Sequence, residues 1–293
     1  FETHLASWHN APMSANVALR TTLLAVLAVP ACHRAGPAAP WLGEVTAVPA
    51  PTAPASRYPH LAAAGHGQAV LSWLQALPEG GHALQHARWR DGRWGPVGVV
   101  ASGEDWFVNW ADFPSVVPID GTTWAAHWLQ QTPGGIYSYD VRIAVSSDAG
   151  TTWSAPMSPH DDGTPTEHGF VTLYAAGGAA QAIWLDGRHT GGGHDHSGGG
   201  SGAMTLRGTA IGTDGHRSGL DQEIDGRVCD CCQTDVAITA GGPVAVYRDR
   251  SDGEVRDIAL VRRQAGGWSE PVRVHADDWT IDACPVNGPA IDA

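Results

Sequence analysis

Between residues 113 and 157 apolar and polar positions alternate in short runs, each closed by turn residues. "FPSVVPI" is followed by "DGT", "TWAAHWLQ" by "TPGG", and "YDVRIAVS" by "SDAGT", after which "WSAPM" resumes the alternation. A period of two with β-branched and aromatic residues is the mark of half-buried strands, and the Gly, Pro and Asp clusters mark the turns between them. The stretch predicts four antiparallel strands joined by tight turns.

The same unit recurs. "RDGRWGPV", "DAGTTWSAP" and "QAGGWSEPV" each set a glycine turn before a tryptophan and a proline, at Trp94, Trp153 and Trp268, and the second interval is about twice the first. A degenerate copy is therefore expected near residue 211, where "GTDGHRSG" (212–219) stands without its tryptophan. A repeat of about 60 residues holds one four-stranded sheet, and such sheets repeated around an axis protect one another's edges. The fold class expected is all-β, a β-propeller of four-stranded antiparallel blades. Inner strands are expected to start near His60, Phe113, His168, Cys232 and Pro285, giving four blades and the opening strand of a fifth.

Composition narrows the function. The chain of 293 residues is 43% hydrophobic and 16% charged, enough for a full core, and its 37 glycines and 20 prolines favour turns over helices. Its net charge is -13, and it contains no lysine and no long arginine run, so nothing is available to neutralise a phosphate backbone. Nucleic acid is excluded as a partner, and a monomer is expected.

The N-terminal region reads as an export signal. Residues 1–12 are taken as non-native upstream sequence and both termini as the edges of a longer reading frame. From Met13, Arg20 precedes an apolar run from Leu23 to Val29 that is too short to span a bilayer. "VPAC" resembles the bacterial lipobox, which implies lipidation at Cys32 and an anchored protein in the periplasm or outer membrane. The other reading is a plain secretory signal, 13–32, discarded with its cysteine. Residues 33–56, rich in Pro and Ala, form the tether, and 57–293 the propeller.

"SSDAGTTW" is the most specific motif. Ser146, Asp148, Gly150, Thr152 and Trp153 fill every fixed position of an Asp-box, in which the aspartate binds the amides of its own turn, the glycine takes positive φ and the tryptophan wedges against the sheet. With looser copies at 90–95, 213–218 and 264–268, residues 57–293 resemble the sialidase superfamily of bacterial neuraminidase (BNR) repeat propellers, which are six-bladed. The resemblance implies an exo-glycosidase acting on, or binding, anionic sugars. It places a carboxylate-binding arginine at Arg57, in "RYP", with further anion contacts from Arg188 and Arg248 or Arg250. It also implies an acid/base aspartate, for which Asp105, Asp112 and Asp186 are candidates, and a glutamate, for which Glu223 is one. Its tyrosine nucleophile and last arginine would fall beyond residue 293.

The sialidase pattern does not account for "VCDCC". The loops leading into inner strands and those between strands two and three hold most of the histidines, cysteines and clustered aspartates, on the face opposite the Asp-boxes. Aligning "TDVAI" with "NGPAI" sets Cys231 in register with Cys284. Two disulfides are one reading, with Cys229 to Cys232 and Cys231 to Cys284 the less strained pairing. A soft-metal or redox site is the other, with thiolates from Cys229, Cys231, Cys232 and Cys284 joined by His168 and holding copper or zinc. The glycine-framed His189, His194, Asp195 and His196 offer a second metal candidate or a polar loop. The alternative to a glycosidase is thus a non-hydrolytic propeller with a metal or redox centre at its channel mouth.

Overall fold

The computed structural model describes residues 43–191, 202–281 and 283–293. The signal segment, Cys32, His194, Asp195 and His196 lie outside the described residues. The chain divides into two units, Phe1–Val48 and Pro49–Ala293. The described part of the first, residues 43–48, is exposed and without regular structure. Among the described residues of the second every element is a strand, and no helix is long and apolar enough to cross a membrane.

Four antiparallel sheets follow one another along the chain. The first holds β1 (Ser56–Ala63), β2 (Ala69–Ala76), β3 (His82–Arg90), β4 (Arg93–Trp94) and β5 (Gly98–Gly103), and the second β6 (Ser115–Pro118), β7 (Trp124–Gln131) and β8 (Tyr139–Ser146). The third holds β9 (His168–Ala176), β10 (Ala179–Asp186), β11 (Met204–Ile211) and β12 (Gln222–Val228). The fourth holds β13 (Asp235–Thr239), β14 (Gly242–Arg248), β15 (Ile258–Gln264), β16 (Gly267–Trp268) and β17 (Val272–Arg273). The expected fourth strand of the second sheet shrinks to one bridge, in which Ile143 and Met157 exchange backbone hydrogen bonds. Pro156 explains the loss, because its missing N–H interrupts the ladder.

The leading strands β1, β6, β9 and β13 lie side by side in that order, and the sheets do not close into a ring. The expected fifth opening strand is absent from the described residues after Arg273. Pro285 and Pro289 lack donors, while the amides of Gly288 and Ile291 bond to the side chains of Gln233 and Asp235 instead of a neighbouring strand. Ser56, read above as tether, begins β1.

Apolar side chains fill the spaces between consecutive sheets. Val70, Leu84, Trp124 and Trp128 pack the first against the second, Val141, Ile143, Leu173 and Trp184 the second against the third, and Leu206, Tyr247 and Val261 the third against the fourth. Trp184 is wholly buried, and burying a side chain of that size contributes on the order of 3 kcal/mol.

The turn after β8 shows why its sequence is so constrained. Asp148 accepts from the amide and hydroxyl of Thr152 at 2.8 and 2.7 Å and from Ser146 Oγ at 2.8 Å, which hold its carboxyl down at about 2. Gly150 has a φ of +86°, and a Cβ there would stand 2.7 Å from His86 and 2.8 Å from Trp124. His86 in turn meets Trp124 and Trp153 edge-on, so the turn locks the first two sheets together. The looser copies fall in the same place, after the third strand of each sheet, with Gly92, Gly215 and Gly267 also at positive φ.

Candidate functional site

The four leading strands border an open cavity of about 540 Å³, lined by His60, Asp112, Ser115, His127, Thr172 and Thr234 among others. Ser115 and His127 are cross-strand partners, and their Oγ and Nδ1 lie 2.9 Å apart. Burial, with the charge of His60 adding to it, pushes His127 down to about 3. Its imidazole is neutral at physiological pH and too weak a base to activate the serine, so the pair serves as a hydrogen bond.

Asp112 is different. It precedes β6, is buried, and accepts from the Phe170 amide at 2.8 Å and from the Tyr139 hydroxyl at 3.2 Å. The same hydroxyl lies 3.0 Å from Glu167, which precedes β9, and since a phenol has one hydrogen, two full hydrogen bonds require one of the two carboxyls to carry a proton and donate it. Burial raises Asp112 to about 7 against those two hydrogen bonds. Glu167 is raised to about 8, by burial first and then by the charges of Asp112, Asp230 and Cys284. Tyr139 is itself pushed well above the phenol range by burial and by these two acids, which rules it out as a nucleophile near neutrality. Its hydroxyl links Asp112, which lines the cavity, to Glu167, which does not.

A second polar cluster lies where β9 starts and β10 ends. The rings of His160 and His168 stack at 3.8 Å, and Asp162 Oδ1 lies 3.2 Å from His168 Nε2 and 3.4 Å from His160 Nδ1. Arg188 reaches Asp186 at 2.7 Å and Asp221 at 2.6 Å. Burial opposes charge on His168, but the hydrogen bond to Asp162 and the charges of Asp186 and Asp162 outweigh it and raise its pKa. Asp186 is lowered although burial acts against it, because Arg188 and His168 compensate its charge.

The third cluster is sulfur. Cys229, Cys231 and Cys232 hold their Sγ atoms within 4.8 Å of one another, with Cys229 to Cys232 at 2.7 Å, and Cys284 lies against Cys231. Cys229 and Cys232 are buried and the other two half-buried. The buried Arg256 brings Nη1 to 3.5 Å from Cys229 Sγ. Hydrogen bonds from Cys231 and Cys232, with Arg256 adding its charge, hold Cys229 below the ordinary thiol range, while Cys231 is pushed up.

The residues singled out by sequence separate into these clusters. The register of Cys231 with Cys284 matches their contact, but His168 joins the carboxylates: it pairs with Asp186 across β9 and β10, and its Nδ1 lies 3.2 Å from Tyr139 O. The arginines do not converge. Arg57 is exposed on β1, and Arg188 is taken up by Asp186 and Asp221. Arg248 donates to the carbonyls of Asn287 and Arg256 and stacks on Trp279 at 4.7 Å, while Arg250 pairs with Asp230 and Glu254. Asp105 and Glu223 are exposed, the latter bonded to Arg207. Glu167, Tyr139, Asp162 and Arg256 are not distinguished by any motif. One signal could have found Glu167, since like Asp112 it stands just ahead of a leading strand.

No known protein family matches the chain, and no curated protein matches it in sequence. Among solved structures it is similar to an α-L-arabinofuranosidase from Lactobacillus brevis, at 10% identity over 72% of this chain and 70% of that one, with a TM-score of 0.43. It is also similar to a neuraminidase-like protein from A/bat/Guatemala/164/2009, at 10% identity over 74% and 54% of the two chains and a TM-score of 0.47. The arabinofuranosidase Arb93A from Fusarium graminearum shares 14% identity over 78% and 68%, at a TM-score of 0.44. The chain spans about half the length of the neuraminidase-like protein.

Proposed function

We propose that this chain is the propeller of a carbohydrate-acting protein, a glycosidase whose acid and base are Asp112, at the wall of the central cavity, and Glu167, which reaches it through Tyr139. The observation that carries this reading is the sharing of one buried hydroxyl by both carboxyls beside a cavity of about 540 Å³. Glycoside cleavage needs one carboxyl that still holds its proton near neutrality and a second that can take one, and acids raised to about 7 and about 8 meet that need. The pair titrates as a unit, with one proton on it in the interval between those values. The Asp-box pattern of Ser146–Trp153 supports the same reading through its resemblance to the BNR propellers.

The substrate proposed first is an anionic sugar. Arg188 and Arg248 are committed to carboxylates and carbonyls, so the substrate's carboxylate falls to Arg57 on the exposed start of β1. Export and lipid anchoring at Cys32 belong to this proposal as the setting in which envelope or environmental glycans are met. The test is a panel of fluorogenic sialosides, arabinofuranosides and xylosides with the full chain. Turnover lost in Asp112→Asn and Glu167→Gln, with KM for the sialoside alone raised in Arg57→Ala, is the expected result. Turnover unchanged in both carboxyl variants would overturn it.

A further inference from the structure

We propose that Cys229, Cys231, Cys232 and Cys284 form a binding site for a thiophilic d10 cation, Cu(I) or Zn(II), held between the end of the third sheet and the segment that follows the fourth. The sulfurs adjoin Glu167, on which Cys284 acts electrostatically, but metal binding here does not depend on the hydrolytic reading.

The backbone delivers the sulfurs from two distant places. Cys229 leaves β12 with its amide bonded to Arg248 O at 3.0 Å, which fixes the start of the cysteine loop against the end of β14. Cys284 arrives from beyond β17, and its segment is held by Gly288, whose amide bonds to Gln233 Oε1 at 3.2 Å. A Cβ at Gly288 would stand 1.8 Å from Gln233 O, so only glycine lets this segment come close enough to the cysteine loop. Three Sγ atoms within 4.8 Å of one another, with the fourth cysteine against Cys231, give the ligand number and spread that a trigonal or tetrahedral thiolate site requires.

The charge around the sulfurs favours thiolates over disulfides. Arg256 is 3% exposed and points Nη1 at Cys229 Sγ from 3.5 Å, while its Nη2 bonds to Glu254 at 2.8 Å. Arg256 is already paired with Glu254, and its remaining Nη1 aims a donor at Cys229 Sγ that a thiolate accepts better than a disulfide sulfur does. Three or four thiolates around a mono- or divalent cation keep a net negative charge, which a buried arginine offsets. On binding, each coordinating S–H bond gives its proton to solvent and an S–metal bond forms, with no change in oxidation state of sulfur or metal. The half-buried Cys231 and Cys284 leave the side by which the ion enters.

The test uses the full chain carrying Cys32→Ala, so that only these four thiols remain, reduced and kept without oxygen. Zn(II) is titrated against a chromophoric chelator, and Cu(I) against a Cu(I)-specific one. One equivalent of either ion bound tighter than micromolar, with at least three thiols shielded from iodoacetamide until the ion is stripped, is the expected result, and the two arms show which ion is preferred. Cys229→Ser and Cys232→Ser are each expected to weaken binding at least 100-fold and Cys284→Ser about tenfold. Failure of the folded, reduced chain to hold either ion would overturn the proposal. So would native chain isolated with both cysteine pairs oxidised and refusing metal after reduction. The alkylation measurement needs no altered cysteine in the site, so it decides even where a serine variant fails to fold.

Discussion

Two groups of buried and half-buried acids, both near the starts of the leading strands β6 and β9, meet opposite electrostatic fates. Asp162 and Asp186 lie among Arg188, His160 and His168, and their carboxyls are held below the ordinary range in spite of burial. Asp112 receives only a phenol and a backbone amide among the described residues, and burial drives it up to about 7. Desolvation is common to both groups, so the compensating cation decides whether a carboxyl becomes a fixed anion or a proton carrier. The first group is ionised in place, and the second is the one the proposed glycosidase reading draws on.

The largest effect that would break this comparison is on turnover. Replacing Asp112 by Asn leaves its shape and removes its proton, and the expected loss in kcat is 10²- to 10⁴-fold, about what general acid–base catalysis supplies, measured on whichever glycoside the panel selects. The same carboxyl pair should give a bell-shaped rate profile with its maximum between about 7 and about 8, and Asp112→Asn should erase one limb.

Next comes stability. Arg188→Met takes from the wholly buried Asp186 its bonded cation, leaving only His168 and the Trp184 N–H, and is expected to cost about 3 kcal/mol by urea denaturation, with no first-order effect on an acid–base step. A loss under 1 kcal/mol would show the cluster to be solvated and the contrast to be false.

The pH dependence of stability sharpens the contrast further. Asp112 has a raised native pKa, so its contribution is complete below its unfolded value near 3.8 and disappears as pH rises toward about 7, by roughly 4 kcal/mol relative to Asp112→Asn. His168 is also raised, so its contribution is present below 6.5 and is lost as pH climbs through its higher native value. Unfolding curves for Asp112→Asn and His168→Gln should therefore depart from the parent chain in successive pH windows. The smallest expected effect lies away from both clusters: Gly150→Ala forces a Cβ against His86 and Trp124 at a positive φ, for about 1–3 kcal/mol and no change in the rate profile.

Much of the fold was legible because it is written in periods and punctuation. The alternation of "TWAAHWLQ" and "YDVRIAVS" became β7 and β8 almost residue for residue, and each glycine turn fell after the third strand of its sheet. The edges were less legible. Pro156 and Pro285 were read inside strands from their apolar neighbours, although each lacks the donor a ladder needs. Of the site, the alignment of "TDVAI" with "NGPAI" set Cys231 beside Cys284, and the two do meet, although the second segment forms no strand. The site was not legible where a side chain's partner comes from another sheet, as when Arg188 turned to Asp221 or His168 to Asp162. Charge compensation across sheets leaves no trace in a local pattern.

The position of the four sulfurs has a consequence for folding. Cys232 and Cys284 flank the whole of β13 to β17, so any link between them closes a loop of about fifty residues and leaves the fourth sheet inside it. Closing a loop of that size removes about 4 kcal/mol of freedom from the unfolded chain in the chain-entropy picture. The last sheet, which has no successor among the described residues to cover its outer side, would then owe its cooperativity to a clasp at its base.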